Sequence, residues 1–187
     1  MNKLISLLTL ITLSLMAQPA LMAQELIIGE ELIEPGIRVI IEGAVKDDVT
    51  PHPQNLEESK TDVHIEARVN WASDPSIKVP EGTPRGGFVA YINLSAEVTN
   101  ERTGETLQAD LIPHINLVDN LHYARNIPLP GEIDDPFTVV FHVLPPEPLD
   151  LALHKDWRDS HGSRLFNEQT FRYTGVDFEE IARATRR

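Results

Sequence analysis

The chain lacks cysteine, and its only methionines, Met1, Met16 and Met22, lie near the amino terminus. The absence of cysteine excludes disulfide bonds, thiolate zinc sites and a Cys-His nucleophile. If the amino-terminal segment is removed, no sulfur remains, so nitrogen and oxygen atoms are the available metal ligands. The sequence also lacks a Gly-rich phosphate loop and a Gly-x-Ser-x-Gly elbow, so we do not expect a hydrolase. A metal-dependent enzyme is not expected either, because catalytic metal sites generally keep an open coordination position and this sequence offers four or five candidate ligands.

Long apolar runs are missing after residue 16. Before it, Lys3 is followed by an apolar run of about 13 residues, and a small residue, Ala23, stands before Gln24. Residues 1–23 therefore have the layout of a secretory signal peptide, because the apolar run is shorter than the roughly 20 residues that span a bilayer. We expect cleavage near Gln24 and release of the mature protein into the periplasm.

Positive charge is scarce in this chain. It has 16 lysine and arginine residues against 29 aspartate and glutamate residues, which gives a net charge of −13. This charge makes nucleic acid and anionic membrane surfaces poor partners and favours cations. About 164 residues remain after the expected cleavage, which suits a single domain.

Two-residue alternation dominates the chain after Gln24, and helical periodicity is absent. The clearest strand is 62–71, whose core-facing residues are Val63, Ile65, Ala67, Val69 and Trp71. Further strands are predicted at 36–43, 87–99, 105–113, 137–143 and 169–174. The pattern predicts an all-β fold over 24–175, an immunoglobulin-like β-sandwich of about seven to nine antiparallel strands. A polar tail, 176–187, follows and has the length for a helical turn or two.

Seven histidines provide the candidate ligands. His64 and Glu66 are two positions apart on the predicted strand, which places both side chains on one face about 7 Å apart. They can hold one ion between them, or they can belong to a solvated strand face. His114 and His122 flank one turn and can converge, and His154 lies in the long loop 147–164, where binding residues tend to collect.

The other three histidines are weaker candidates. His142 alternates with core residues of its strand, which suits either a structural hydrogen bond or a role in a site. His52 lies between two prolines and His161 precedes a glycine, so both are interpreted as loop residues and left out of the ligand set.

Four segments, in this order and spacing, resemble the bacterial periplasmic high-affinity iron-transport protein family. They are DVHIEA at 62–67, LIPHINLVDNLHYARNI at 111–127, FHVLPP at 141–146 and FRYTG at 171–175. The resemblance covers most of the mature chain, roughly 26–175. It implies a copper-binding, iron-regulated homodimer of immunoglobulin-like fold that works alongside an inner-membrane iron permease.

The resemblance also implies a metal site. His64 and Glu66 match the family's D-[IV]-H-x-E-A strand, where the histidine is a copper ligand and the glutamate an adjacent, variable one. His122 matches the ligand of the H-Y-x-x-N-I segment, and His154 matches a loop histidine that completes the site across the dimer interface. His114 departs from the pattern, because the family typically has methionine there.

The exchange of a thioether for an imidazole removes the soft ligand that favours Cu(I). The resemblance implies copper as the bound ion, and this exchange shifts the expected preference toward Cu(II), with iron or zinc as alternatives. The expected metal ligands are His64, Glu66, His114, His122 and His154. Because imidazole binds a metal only when it is neutral, the affinity should fall as the compartment acidifies. The alternative function is an immunoglobulin-like structural or adhesive module in which the histidines are incidental.

Overall fold

A computed structural model describes residues 25–52 and 54–186. The signal peptide expected from the sequence lies outside these residues. The strands are β1 (Glu25–Ile33), β2 (Ile37–Val45), β3 (Val63–Trp71), β4 (Asn93–Asn100), β5 (Thr106–Asn116), β6 (Asn120–Ile127), β7 (Pro136–Leu144) and β8 (Gln169–Asp177). The helices are α1 (Lys155–His161) and α2 (Glu179–Arg183), and a 3-10 turn covers Glu58–Lys60. No helix within the described ranges is long and apolar enough to cross a membrane.

The eight strands form one antiparallel sheet in the order β1-β2-β3-β6-β5-β4-β7-β8. Strand β5 joins the two halves of this sheet, because it pairs with β4 on one side and with β6 on the other. The end strands β1 and β8 approach each other. There, Tyr173 donates a hydrogen bond to Glu31 at 2.9 Å. A Cβ at Gly29 would lie 2.3 Å from the Tyr173 ring, so this contact requires glycine. The nearly closed sheet confirms the predicted all-β, immunoglobulin-like architecture of antiparallel strands.

Strand β3 is buried on both faces, which its alternation does not predict. Its odd-numbered residues enter the central core as expected. On the outward face, however, His64 and Glu66 are only 3% and 1% exposed. The segment after β2 and the end of the chain line a cavity beside His64, so this face is covered by other parts of the protein.

Several elements differ from the sequence-based expectations, and they include strand β6 (Asn120–Ile127) and helix α1 (Lys155–His161), neither of which was predicted. Strand β1 was not predicted, and its register shifts between Ile27 and Gly29, which breaks the alternation. The strand predicted to begin at residue 87 starts six residues later, after Tyr91, whose φ is 64°. Residues 176–183 are not a separate polar tail, because Phe178 and Ile181 are buried in the core. The expected helical turn is present there as α2.

Candidate metal site

Three strands that are neighbours in the sheet bring three of the predicted histidines together. His64 lies on β3, His114 on β5 and His122 on β6. His114 and His122 are direct cross-strand partners, and β6 pairs with β3 on its other side. One nitrogen from each ring lies within 4.8 Å of the others, and the ring centroids are 5.3, 5.9 and 6.0 Å apart. This separation allows the three imidazoles to bind one ion.

Hydrogen bonds set which nitrogen of two of these rings carries the proton. Asn126 donates its amide N–H groups to the carbonyls of Asp47 and Leu56, so its Oδ1 is free to accept from His64 Nδ1 at 2.7 Å. The Nδ1 of His122 donates to the backbone carbonyl of Asn120 at 3.1 Å. In a neutral imidazole the other nitrogen then has a free lone pair. In both rings Nε2 is therefore the candidate ligand atom, held by an outer partner as in known metal sites.

Glu66 provides a carboxylate beside the imidazoles. Its Oε2 lies 3.6 Å from Nε2 of both His64 and His122. Within the described residues, neither oxygen of Glu66 and neither nitrogen of His114 has a hydrogen-bond partner, although all four atoms are buried. Buried polar atoms are almost always paired, because an unpaired one loses its hydration without compensation. Three imidazole nitrogens and one carboxylate oxygen are ligands that suit Cu(II) or Zn(II).

Burial changes the protonation of these groups in opposite directions. Desolvation lowers the pKa of His64 and of His114 to about 4. It also lowers the pKa of His122, although the hydrogen bond to Asn120 opposes this shift. Desolvation raises the pKa of Glu66 to about 8, and the negative charge of nearby Asp119 adds to the rise. At neutral pH the imidazoles are thus ready to bind a metal ion, whereas Glu66 must first lose its proton.

A second group of potential ligands lies on the other side of Glu66. Glu25 at the start of β1, Glu66 on β3 and Asp119 in the β5–β6 turn have carboxylate oxygens within 4.8 Å of one another. The Asp119 side chain is oriented by Asn116, whose Nδ2 donates to it at 2.8 Å. Burial raises the pKa of Glu25, and the charge of Asp119 raises it further. Glu66 therefore lies beside two of the imidazoles, those of His64 and His122, and is also a member of this acidic cluster of oxygen ligands.

The structure does not bring His154 to the other four predicted ligands within one chain. His154 is exposed and precedes α1, whose Trp157 contacts Trp71 with ring centroids 6.4 Å apart. Trp71 is seven residues from His64 along β3, a distance of about 23 Å. His142 lies on β7, where its Nδ1 is 3.2 Å from the Thr170 hydroxyl, and it is not part of the imidazole cluster.

Three residues near the site were not found from the sequence. Asn126 lies four residues after His122, so strand alternation was a usable signal that both side chains share a face. Glu25 and Arg186 had no such signal. They come from the two ends of the described part of the chain, and Arg186 lines the cavity beside the three histidines. Their positions depend on packing between distant segments.

The sequence profile of the Fe2+ transport protein family matches residues 22–179, which is most of the chain. The chain belongs to the Fe2+ transport protein family. This assignment confirms the resemblance found in the sequence motifs. No curated protein matches this Fe2+ transport family member in sequence.

Solved structures share the fold of this Fe2+ transport family member. A copper-bound variant of Campylobacter jejuni P19 is similar with a TM-score of 0.67 and 22% identity, covering 81% of this chain and 96% of that chain. FetP of a uropathogenic Escherichia coli strain, as isolated after expression in the periplasm, is similar with a TM-score of 0.63 and 23% identity. The match covers 81% of this chain and 95% of the FetP chain. A copper-bound FetP variant is similar with a TM-score of 0.63 and 22% identity, and the match covers 82% of this chain and 99% of that chain.

Proposed function

We propose that this Fe2+ transport family member is a periplasmic metal-binding protein that takes part in high-affinity iron uptake alongside an inner-membrane permease. The observation that supports this best is the convergence of three imidazoles and one carboxylate, all buried, from β3, β5 and β6. Family membership supports the link to iron. The chemistry of the ligand cluster supports the binding of a metal ion.

Copper is the ion that we propose for the imidazole cluster of His64, His114, His122 and Glu66. The similar proteins P19 and FetP have copper-bound structures. All methionines of this chain lie at or before residue 22 and it has no cysteine, so residues 25–186 contain no sulfur ligand. Imidazole and carboxylate ligands favour Cu(II) over the softer Cu(I), and they also suit Zn(II) or Fe(II).

Iron is the ion that we propose for the acidic cluster of Glu25, Glu66 and Asp119. Carboxylate oxygens are hard ligands that prefer hard cations over soft ones, and Fe(III) is a hard cation. Because Glu66 is a member of the acidic cluster and lies 3.6 Å from Nε2 of both His64 and His122, an ion bound by one cluster would change the charge or orientation of a ligand beside the other. The two clusters thus provide a way for a resident copper ion to influence the handling of iron.

We also propose that the protein is a homodimer. Four large apolar side chains at the tip of the β5–β6 hairpin, beside the imidazole cluster, are exposed: Ile115, Leu117, Val118 and Leu121. Exposed apolar patches of this kind often mark protein–protein interfaces. A second chain at this position would remove them from water and would allow His154 of one chain to reach the cluster of the other.

The proposed metal binding is tested by dialysing the purified protein against a mixture of Cu(II), Zn(II) and Fe(II) without oxygen, followed by elemental analysis. We expect about one copper ion per chain, and a higher melting temperature with metal, because a ligand of the folded state stabilises that state. His64→Ala and His122→Ala should each lose most of the bound copper. His142→Ala is the matched control, since it removes a strand histidine outside the cluster.

Two results would contradict the proposal. One is that the wild-type protein binds none of the three ions at micromolar concentration. The other is that His64→Ala and His122→Ala bind copper as the wild type does. Either result, together with a melting temperature that a chelator does not change, would favour the structural or adhesive module instead.

A further inference from the structure

The candidate metal ligands are almost inaccessible to solvent. His64, His122 and Glu66 are between 1% and 3% exposed. A cavity of about 420 Å³ lies beside the histidines, and its wall includes the covering segment, residues 47–51, together with Arg186. His64, His114 and His122 line this same cavity, so the covering segment and Arg186 bound the space next to the imidazoles. Contacts that fix this wall also fix the surroundings of the candidate ligands.

The carboxy-terminal segment, residues 178–186, is anchored on β2. The side chains of Phe178 and Ile181 are buried. A Cβ at Gly43 would lie 2.8 Å from Ile181 and 2.9 Å from Phe178, so β2 accepts this segment closely only because residue 43 is a glycine. Lys46 then donates a hydrogen bond to the carbonyl of residue 182 at 3.0 Å. These contacts bring Arg186 to the cavity.

Arg186 begins a series of contacts that ends at a metal ligand. Its guanidinium pairs with the Asp47 carboxylate at 2.9 Å and donates to the Val45 carbonyl at 3.3 Å. The Asp47 carbonyl accepts a hydrogen bond from Asn126 at 2.8 Å. Asn126 in turn accepts from His64 Nδ1 at 2.7 Å. The end of the chain is thereby connected both to the covering segment and to the orientation of one imidazole.

We propose that Arg186 is a positioning residue for the metal site. Arg186 holds the covering segment in place and keeps His64 aligned, and it thereby slows the entry and release of the metal ion. This inference rests on the proposed binding of metal by the imidazole cluster. The family match ends at residue 179, so Arg186 lies beyond the part of the chain that defines the family.

Arg186 has two effects on a bound cation, and they have opposite signs. Its positive charge repels the ion and promotes release, whereas its contacts keep the ligands in place and oppose release. The Asp47 carboxylate, 2.9 Å away, neutralises much of this charge. Positioning should therefore dominate, and the loss of Arg186 should accelerate release. A purely electrostatic role would have the opposite result.

The test is a stopped-flow measurement of Cu(II) transfer from the loaded protein to an excess of chelator. Arg186→Ala should release Cu(II) about tenfold faster, at the low end of the effects known for outer partners of metal ligands. Its uptake of Cu(II) should also be faster. Arg186→Lys keeps the charge but not the forked contact, so its release rate should be intermediate. A chain that ends at residue 184 should behave as Arg186→Ala does.

Arg183→Ala is the matched control, because Arg183 lies in the same segment but pairs with Glu179 on the exposed side of α2. It should release Cu(II) at the wild-type rate, and neither variant should change the melting temperature by more than a few degrees. Unchanged or slower release from Arg186→Ala, or equal acceleration in Arg183→Ala, would overturn the inference. A wild-type protein that binds no Cu(II) would instead overturn the proposed function, so the two failures are distinguishable.

Discussion

Glu66 is a carboxyl group that the fold removes from water without providing a hydrogen bond from the described residues. Burial raises its pKa from 4.5 to about 8, with the charges of Asp119 and Glu42 as further causes. The metal-free folded protein therefore holds this proton more tightly than the unfolded chain does. By linkage, this stabilises the fold fully below pH 4.5, and the contribution is lost as the pH rises through 8.

Replacement of Glu66 by glutamine should remove this pH dependence, because glutamine has nearly the same shape and no charge. Relative to the wild type, metal-free Glu66→Gln should gain roughly 2–4 kcal/mol of unfolding free energy between pH 4.5 and pH 8.5. Urea unfolding in the presence of a chelator, at several pH values, measures the gain. Glu105→Gln, at an exposed glutamate before β5, is the control. A gain that does not change with pH would contradict the prediction.

The buried histidines change the stability of the fold with pH in the direction opposite to Glu66. Because burial lowers the pKa of His64 and of His114 to about 4, their contribution to stability is lost as the pH falls from 6.5 toward 4. The sequence predicts that acid weakens metal binding through protonation of imidazole. The pKa of Glu66, about 8, adds a second cause, since this carboxyl must lose a proton before it binds an ion near neutral pH.

At the scale of elements, two similar ion pairs connect the first three strands. Arg38 on β2 pairs with Glu30 on β1 through two contacts of 2.6 and 2.8 Å. Arg68 on β3 pairs with Glu42 on β2 through two contacts of 2.7 and 2.5 Å. The pairs differ in burial, because the Glu30 side chain is 54% exposed and the Glu42 side chain is 0% exposed.

This difference in burial predicts different costs for removing the arginine. Arg68→Ala leaves the Glu42 carboxylate buried without its partner, which should lower the unfolding free energy by about 3–5 kcal/mol. Arg38→Ala breaks a solvent-exposed ion pair and should lower the unfolding free energy by less than about 1 kcal/mol. Urea unfolding of both variants at pH 7 compares them. Equal losses would show that burial does not decide the strength of these cross-strand pairs.

At the scale of the whole molecule, the position of His154 makes its proposed role as a metal ligand depend on the proposed dimer. It is exposed, and it lies near the end of β3 that is opposite His64. A ligand role for His154 therefore requires a second chain. The exposed apolar residues at the β5–β6 hairpin tip, which include Leu117 and Val118, offer a surface for that chain beside the imidazole cluster.

Sedimentation equilibrium should show two chains per particle. Leu117→Glu, which places a charge in the proposed interface, should convert the dimer to a monomer. In the dimer, His154→Ala should weaken Cu(II) binding about tenfold or more, since it removes a ligand. His161→Ala, at the other end of α1, should not change the binding. A monomeric wild-type protein would exclude a role for His154 in the site of another chain.

Much of the fold was predictable because strand alternation is a local property of the sequence. Strands β3, β7 and β8 lie where the two-residue pattern predicts them. The pattern failed for β1, where a bulge between Ile27 and Gly29 shifts the register. It also failed for residues 176–183, whose apolar side chains are few and pack on the distant Gly43.

The sequence by itself determined which ligand types are available, namely histidine and carboxylate side chains without sulfur after residue 22, and it predicted an antiparallel β-fold and the Fe2+ transport family. Only the tertiary structure decided which ligands meet. The strand order β3-β6-β5 brings His64, His122 and His114 together, leaves Glu66 buried without a partner, and adds Arg186 from the chain end. The physical reason is the sequence distance over which each property is set. Residue type and strand alternation are local, whereas the meeting of the candidate ligands depends on which distant strands pair and on which segments cover them.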